Sequence, residues 1–215
     1  PIAQNYIYSR NLYLREPQYK PVIDAETLRF EAIPAGAVTE EQIEQLGETL
    51  FKDRRGREQI LESLRLPETE LVLIWGDQKQ PIPSACAVFR HLPLNSLMAE
   101  FGNFSFATKI RKQIIGKVML LNGLYVSSER IAAGMAQLLL TETLAYALAE
   151  EYTCCIYHGL PDREGRWERR GLIEELLKRQ GFLRIEEEGR DDLVMAVDMH
   201  MPTTLTKNLS MVIKA

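Results

Sequence analysis

Hydrophobic and polar positions along this chain fall into short runs whose spacing switches between two and about 3.6 residues, the mark of strands interleaved with helices. TLRFEAI, Thr27 to Ile33, alternates as a strand. Thr39 with Gln42 three residues on has the form of a capping box and opens a predicted helix through Phe51, and Arg57 to Leu66 repeats at helical spacing. ELVLIWGD and SACAVFRHL read as two strands joined by a turn around Gln78 to Pro83, where Pro81 and Pro83 suit a connection. Residues 93–115 hold Phe101, Phe104 and Phe106 and then a basic amphipathic stretch, ATKIRKQII, which fits a lid or an insertion. GKVMLLNGLYV is a strand that passes through SSERIAAGMAQ into a long helical pattern, LLLTETLAYALAE. TCCIYHGL is a further strand, DREGRWER a charged loop, and GLIEELLKRQ a helix ended by Gly181. FLRIEEE and LVMAVDM, around a turn at Gly189 to Asp192, complete the pattern.

Composition narrows the class. The chain has 215 residues, 46% hydrophobic and 26% charged, enough for one sizeable core, and one α/β domain is the economical reading. Residues 1–26, Tyr-rich and without period, form an expected N-terminal arm, and 200–215 an extension beyond the last strand. A net charge of −4 argues against a general nucleic-acid binder, and basic clusters such as Lys52 to Arg55 are interrupted by acids. No apolar run reaches the roughly 18 residues of a membrane span and no signal-peptide pattern opens the chain, so a cytoplasmic location is expected. Cys86, Cys154 and Cys155 make neither an even framework nor a CxxC pair, and three histidines, His91, His158 and His200, are too few for a multi-histidine centre; no metal is expected.

The chemistry is concentrated at the strand–turn–helix of residues 116–150. A helix beginning within Ile131 to Ala136 presents unpaired backbone N–H groups and a positive dipole end, suited to a phosphate or pyrophosphate. Ala132, Ala133, Gly134 and Ala136 leave room for close approach, although small residues also let a helix sit tightly on a sheet.

The order strand, two helices, three strands, helix, strand, helix, two strands resembles the GNAT superfamily of acyl-CoA-dependent N-acyltransferases over residues 27–199. LYVSSERIAAGMAQLLL resembles its cofactor strand, loop and helix, and ELLKRQGF its last helix and following strand. The resemblance implies an α/β fold with a mixed, mainly antiparallel sheet, helices on both faces and a splayed centre. It implies an acyl-CoA, most simply acetyl-CoA, as co-substrate and a small-molecule or protein amine as acceptor. Transfer then proceeds by direct attack in a ternary complex. The pyrophosphate segment corresponds to Ile131, Ala132, Ala133, Gly134, Met135 and Ala136: the Gly and the final small residue are kept, while Ile131 stands where the family has Gln or Arg. Leu124, Tyr125 and Val126 correspond to the strand that pairs with pantetheine, with the Val126 amide placed to polarise the thioester carbonyl.

On the acceptor side the family's frequent tyrosine acid is replaced by Leu177, which cannot protonate a thiolate. His158, at the carboxyl end of its strand, and Asn122 on the central strand are the candidates for handling the acceptor's proton. Tyr157 should face away from His158 and reads as packing. Ser127, Ser128 and Glu129 are polar neighbours, Ser128 equally suited to capping the helix. Trp167, Arg169 and Arg170 can recognise a carboxylate or phosphate on the acceptor, or simply be solvated charge. Two other readings stay open: a carrier-protein thiol as acceptor or a longer acyl donor, for which Phe101 to Phe106 would line the cleft, and a non-catalytic CoA-binding or interaction domain.

Overall fold

The capping box expected at Thr39 is present: its Oγ1 accepts from the Gln42 backbone N–H at 3.2 Å, and Gln42 Oε1 accepts from the Thr39 N–H at 2.9 Å. The helix it opens, α1, spans Glu40–Glu48 and stops short of Phe51. There the Phe51 N–H bonds to the Leu46 carbonyl at 2.9 Å and the ring turns into the core, fully buried.

In this computed structural model the described residues are 28–199 except 53, 55, 76–82, 113, 115, 128–132, 162–164, 166, 168–169 and 187–188. The N-terminal arm, the C-terminal extension, most of the turn around Gln78 to Pro83, and Ser128, Glu129, Ile131, Ala132, Arg169 and His200 lie outside them.

The remaining helices are α2 (Arg57–Leu64), α3 (Leu97–Phe101, after a short 3-10 turn), α4 (Phe104–Arg111), α5 (Ala133–Ala149) and α6 (Arg170–Arg179). The strands are β1 (Arg29–Ile33), β2 (Thr69–Trp75), β3 (Pro83–His91), β4 (Val118–Val126), β5 (Cys154–Gly159), β6 (Leu183–Arg184) and β7 (Leu193–Asp198). They form a mixed, mainly antiparallel sheet in the order β1-β2-β3-β4-β5-β7-β6, as expected for the class, with β4 and β5 parallel. The undecided segment 93–115 supplies α3 and α4, and the expected strand FLRIEEE is reduced to the two residues of β6.

The chain divides into two compact units: residues 1–90 with 123–146, and 91–122 with 147–215. In the first, β1, β2 and β3 pair antiparallel, Ile33 opposite Leu71 and Leu71 opposite Val88. Alternation sends Leu71, Leu73, Cys86 and Val88 to one face, where they pack with Ile43, Leu46, Leu50, Phe51 and Leu64 of α1, α2 and the turn between them. On the other face Glu70 accepts from the Tyr146 hydroxyl of α5 at 2.8 Å, and Tyr146 stacks obliquely on Phe89, 5.6 Å between centroids. The part of helix α5 in this unit is apolar nearly all round, with Met135, Leu138, Leu139 and Leu140 buried.

In the second unit, β4 and β5 are registered from Val118 opposite Cys154 to Leu121 opposite Tyr157, and β5 pairs antiparallel with β7. Val118, Leu120, Cys154, Ile156 and Val194 meet Leu97, Phe101, Phe106 and Ile110 in one core. Phe101 and Phe106 fill that core edge to face, centroids 5.6 Å apart, while Phe104 is 73% exposed. The three cysteines are free and buried; burial raises all three thiols, Cys154 to about 12, so none is a ready thiolate. Gly181, at φ +86°, ends α6 in the left-handed conformation that a side chain would oppose.

Candidate functional site

In the first unit the residues expected to hold a cofactor lie at the end of β4 and the start of α5. Leu124 and Tyr125 are half-buried and Val126 is buried. Tyr125 turns its ring toward the α1–α2 core, edge-on to Phe51 at 4.9 Å and 81°. The ring also lies back over Gly123, where a Cβ would come within 2.5 Å of it, so a side chain there would force the ring to move. Arg54, in the turn after α1, donates from Nη2 to the Val126 carbonyl. The next residue, Ser127, donates its N–H to the Ser84 carbonyl of β3 at 2.9 Å. The strand end is thus fixed from two sides, and neither Arg54 nor Ser84 carried a signal in the sequence: each acts on a backbone group far away in the chain. Beyond it α5 begins at Ala133, with Gly134 and Met135 buried and Ala136 half-buried. Six residues, Ser127 to Ala132, separate the strand from that helix, five of them outside the described residues.

In the second unit His158 stands on β5 opposite Val194, 6% exposed. Both ring nitrogens face carboxylates: Nδ1 is 2.8 Å from Glu100 Oε1 of α3, and Nε2 is 3.0 Å from Asp192 Oδ2 just before β7. Phe101 packs on the ring at 5.0 Å. Arg190 grips Asp192 through two nitrogens, Nε to Oδ1 at 2.8 Å and Nη2 to Oδ2. Its third nitrogen, Nη1, donates to the Phe101 carbonyl at 2.7 Å, and the guanidinium lies 4.4 Å above the Phe106 ring. Burial works to raise the Asp192 carboxyl, but the Arg190 hydrogen bond and charge, with those of His158, outweigh it and hold the group below the usual aspartate value. The ring donates to both carboxylates only as imidazolium; as neutral imidazole it requires one carboxyl to carry the proton. His158 can therefore offer a nitrogen to another ligand only by giving up a carboxylate.

Asn122 is half-buried on β4. Trp167 and Arg170 do come together: the guanidinium lies 4.7 Å over the indole and Nη1 donates to the Asp191 carbonyl at 3.3 Å. Leu177 is fully buried, leaving no donor where the resemblance expects a tyrosine. His91 Nδ1 sits 3.3 Å from the Val118 carbonyl, a structural contact between β3 and β4 ends within this unit. Among the described residues no group of three or more His, Cys, Asp or Glu side chains is arranged for a metal, and no helix is long and apolar enough to cross a membrane.

No family model matches the sequence, and no curated protein matches it. Solved structures do match in fold. A protein of Desulfovibrio desulfuricans assigned to the GNAT family as an acetyltransferase is similar at TM-score 0.53 and 10% identity, over 80% of this chain and 99% of that one. Arabidopsis thaliana NAA60 in complex with acetyl-CoA is similar at 0.54 and 12%, over 81% and 100%. FeeM, an N-acyl amino acid synthase from uncultured soil microbes, is similar at 0.52 and 14%, over 81% and 93%. The strand order, the parallel β4–β5 pair and these matches together show that this chain has the fold of the GNAT-family acetyltransferases.

Proposed function

We propose that this chain is an acyltransferase that moves an acetyl or other acyl group from coenzyme A to an amine, with residues 27–199 as the working part and the cytoplasm as its place of action. The observation that carries the reading is the succession of β4 into α5 in a GNAT fold, with Gly134 and Ala136 kept at the helix start. Backbone N–H groups of that first turn, with those of Ile131 and Ala132, would take the pyrophosphate, and the dipole of a 17-residue helix favours the anion. A side-chain cation at Ile131 is dispensable to that arrangement, because the amides are supplied by conformation rather than by residue type.

Leu124, Tyr125 and Val126 would pair with the pantetheine arm. Arg54 supports this role: a guanidinium on the Val126 carbonyl fixes the orientation of the peptide that follows. Direct attack of the amine on the thioester needs orientation and a route for one proton. In this reading His158 and Asn122 handle the acceptor's proton, His158 by exchanging a carboxylate partner for the acceptor. Trp167, Arg169 and Arg170 recognise an acidic group on it.

Calorimetric titration with acetyl-CoA and with free coenzyme A tests the proposal. Micromolar binding of either is expected, followed by thiol release in the presence of a panel of amines. His158→Ala should then keep acetyl-CoA binding and lose turnover. Absence of binding to both ligands removes the acyltransferase reading and leaves a non-catalytic domain of the same fold.

A further inference from the structure

Acyl transfer makes no use of the basic stretch that follows Phe101. From Phe101 to Ser128 the sequence holds four basic residues, Lys109, Arg111, Lys112 and Lys117, and no acid, in a chain whose net charge is −4. Asn103 caps α4 by accepting from the Phe106 N–H at 3.0 Å, which fixes the rotation of the helix. Phe106, Ala107 and Ile110 then enter the core of the second unit, while Phe104, Ser105, Lys109 and Arg111, with Lys112 at the helix end, face outward. Glu100 of the preceding helix is turned onto His158 and does not offset these charges.

The edge of the sheet extends the same surface. Lys109 Nζ donates to the Glu186 carbonyl at 2.7 Å, which brings the end of β6 alongside α4. Ile185 packs into the core with Phe106 and Ile110, and Leu183, two residues earlier and so on the same face, is 75% exposed. Phe104 is 73% exposed, and these two are the most exposed large hydrophobic side chains among the described residues. The Glu186 carboxylate at this margin is matched by Arg184, Nε to Oε1 at 3.2 Å. A single exposed apolar side chain needs no explanation, but two of them beside a run of cations on one side of a unit form a surface with a definite chemistry.

We propose that this side of the second unit, α4 with the Leu183 edge, docks on an anionic phospholipid bilayer. Phe104 and Leu183 enter the boundary between headgroups and acyl chains, and Arg111 and Lys112 lay their stems along it with their charges at the phosphates. Two features favour a bilayer over an acidic protein. An outward helix face is convex, whereas the residues that anchor a protein partner sit in well-packed pockets. Lysine, which protein interfaces avoid, supplies two of the three cations of α4 and its end, and a fluid layer of phosphates accepts it without a fixed geometry. The inference does not depend on the acyltransferase reading.

Sedimentation of the full chain with vesicles of equal parts phosphatidylcholine and phosphatidylglycerol, against vesicles of phosphatidylcholine alone, tests the proposal. The chain should pellet with the first and stay in solution with the second, and added salt should weaken the binding. Arg111→Gln with Lys112→Gln should lower the partition coefficient about 30-fold, and Phe104→Ser about 10-fold. All three side chains are exposed, so both variants should keep the melting temperature of the unmutated chain. Arg65→Gln, which removes an exposed cation from the first unit, should leave binding unchanged. The emission that Phe104→Trp adds should move to shorter wavelength on the anionic vesicles. Failure to pellet with anionic vesicles, equal pelleting with neutral ones, or binding that survives both variants overturns the proposal. Binding that is lost with the cations but indifferent to Phe104→Ser also overturns it, and marks a purely electrostatic surface for an acidic protein.

Discussion

The ends of β4 and β5 are held by opposite means. At the end of β4, backbone carbonyls and an aromatic edge carry the load: Arg54 on Val126, Ser127 on Ser84, Phe51 on Tyr125. At the end of β5 a chain of ionisable groups does so, Glu100 to His158 to Asp192 to Arg190. The first arrangement fixes a stretch of main chain, as a strand meant to pair with an extended ligand requires. The second ties three separate segments to one imidazole. One is insensitive to pH and the other is not, so the two ends can be separated experimentally.

The largest effect should come from Phe51→Ala, which empties a fully buried ring site between α1, α2 and Tyr125; a loss of about 3–5 kcal/mol is expected in chemical denaturation. If the loss is small, the clamp on β4 is not aromatic and the contrast fails. Asp192→Ala should follow at about 3 kcal/mol, because it leaves Arg190 and His158 without their shared carboxylate in a buried setting. Removing the Arg54 donor with Arg54→Met should cost about 1.5 kcal/mol, and should lower acetyl-CoA affinity more than global stability if Val126 orients the ligand.

The pH dependence sharpens the contrast. Asp192 is depressed in the folded state, so its stabilisation is present above the unfolded value near 3.8 and is lost as pH falls through its lower folded value. Asp192→Asn should therefore flatten the acid limb of an unfolding midpoint measured against pH. Glu142, on the part of α5 in the first unit, behaves in the reverse sense: burial pushes its carboxyl up to about 7. The stability this proton confers is present below about 4.5 and is lost as pH rises to about 7. Glu142→Gln should gain stability at pH 8 and none at pH 4. A single variant that flattened both limbs would show that Asp192 and Glu142 do not titrate independently.

Local patterns in the sequence determined the elements and their order. Thr39 with Gln42, Gly181 after Arg179, and alternation in ELVLIW and SACAVFR act within a few residues, which is the range over which capping, left-handed glycine and strand pleating work. The order of those elements was enough to point to the fold. The tertiary structure alone decided who meets whom. Glu100 reaches His158 across 58 residues, Asp192 across 34, and Arg54 reaches Val126 across 72. Nothing periodic marks such pairs, since each charge looks like a solvated surface group until the fold encloses it. Tyr157 and His158 show the same division: alternation puts them on opposite faces of β5, but only packing brings two carboxylates to His158.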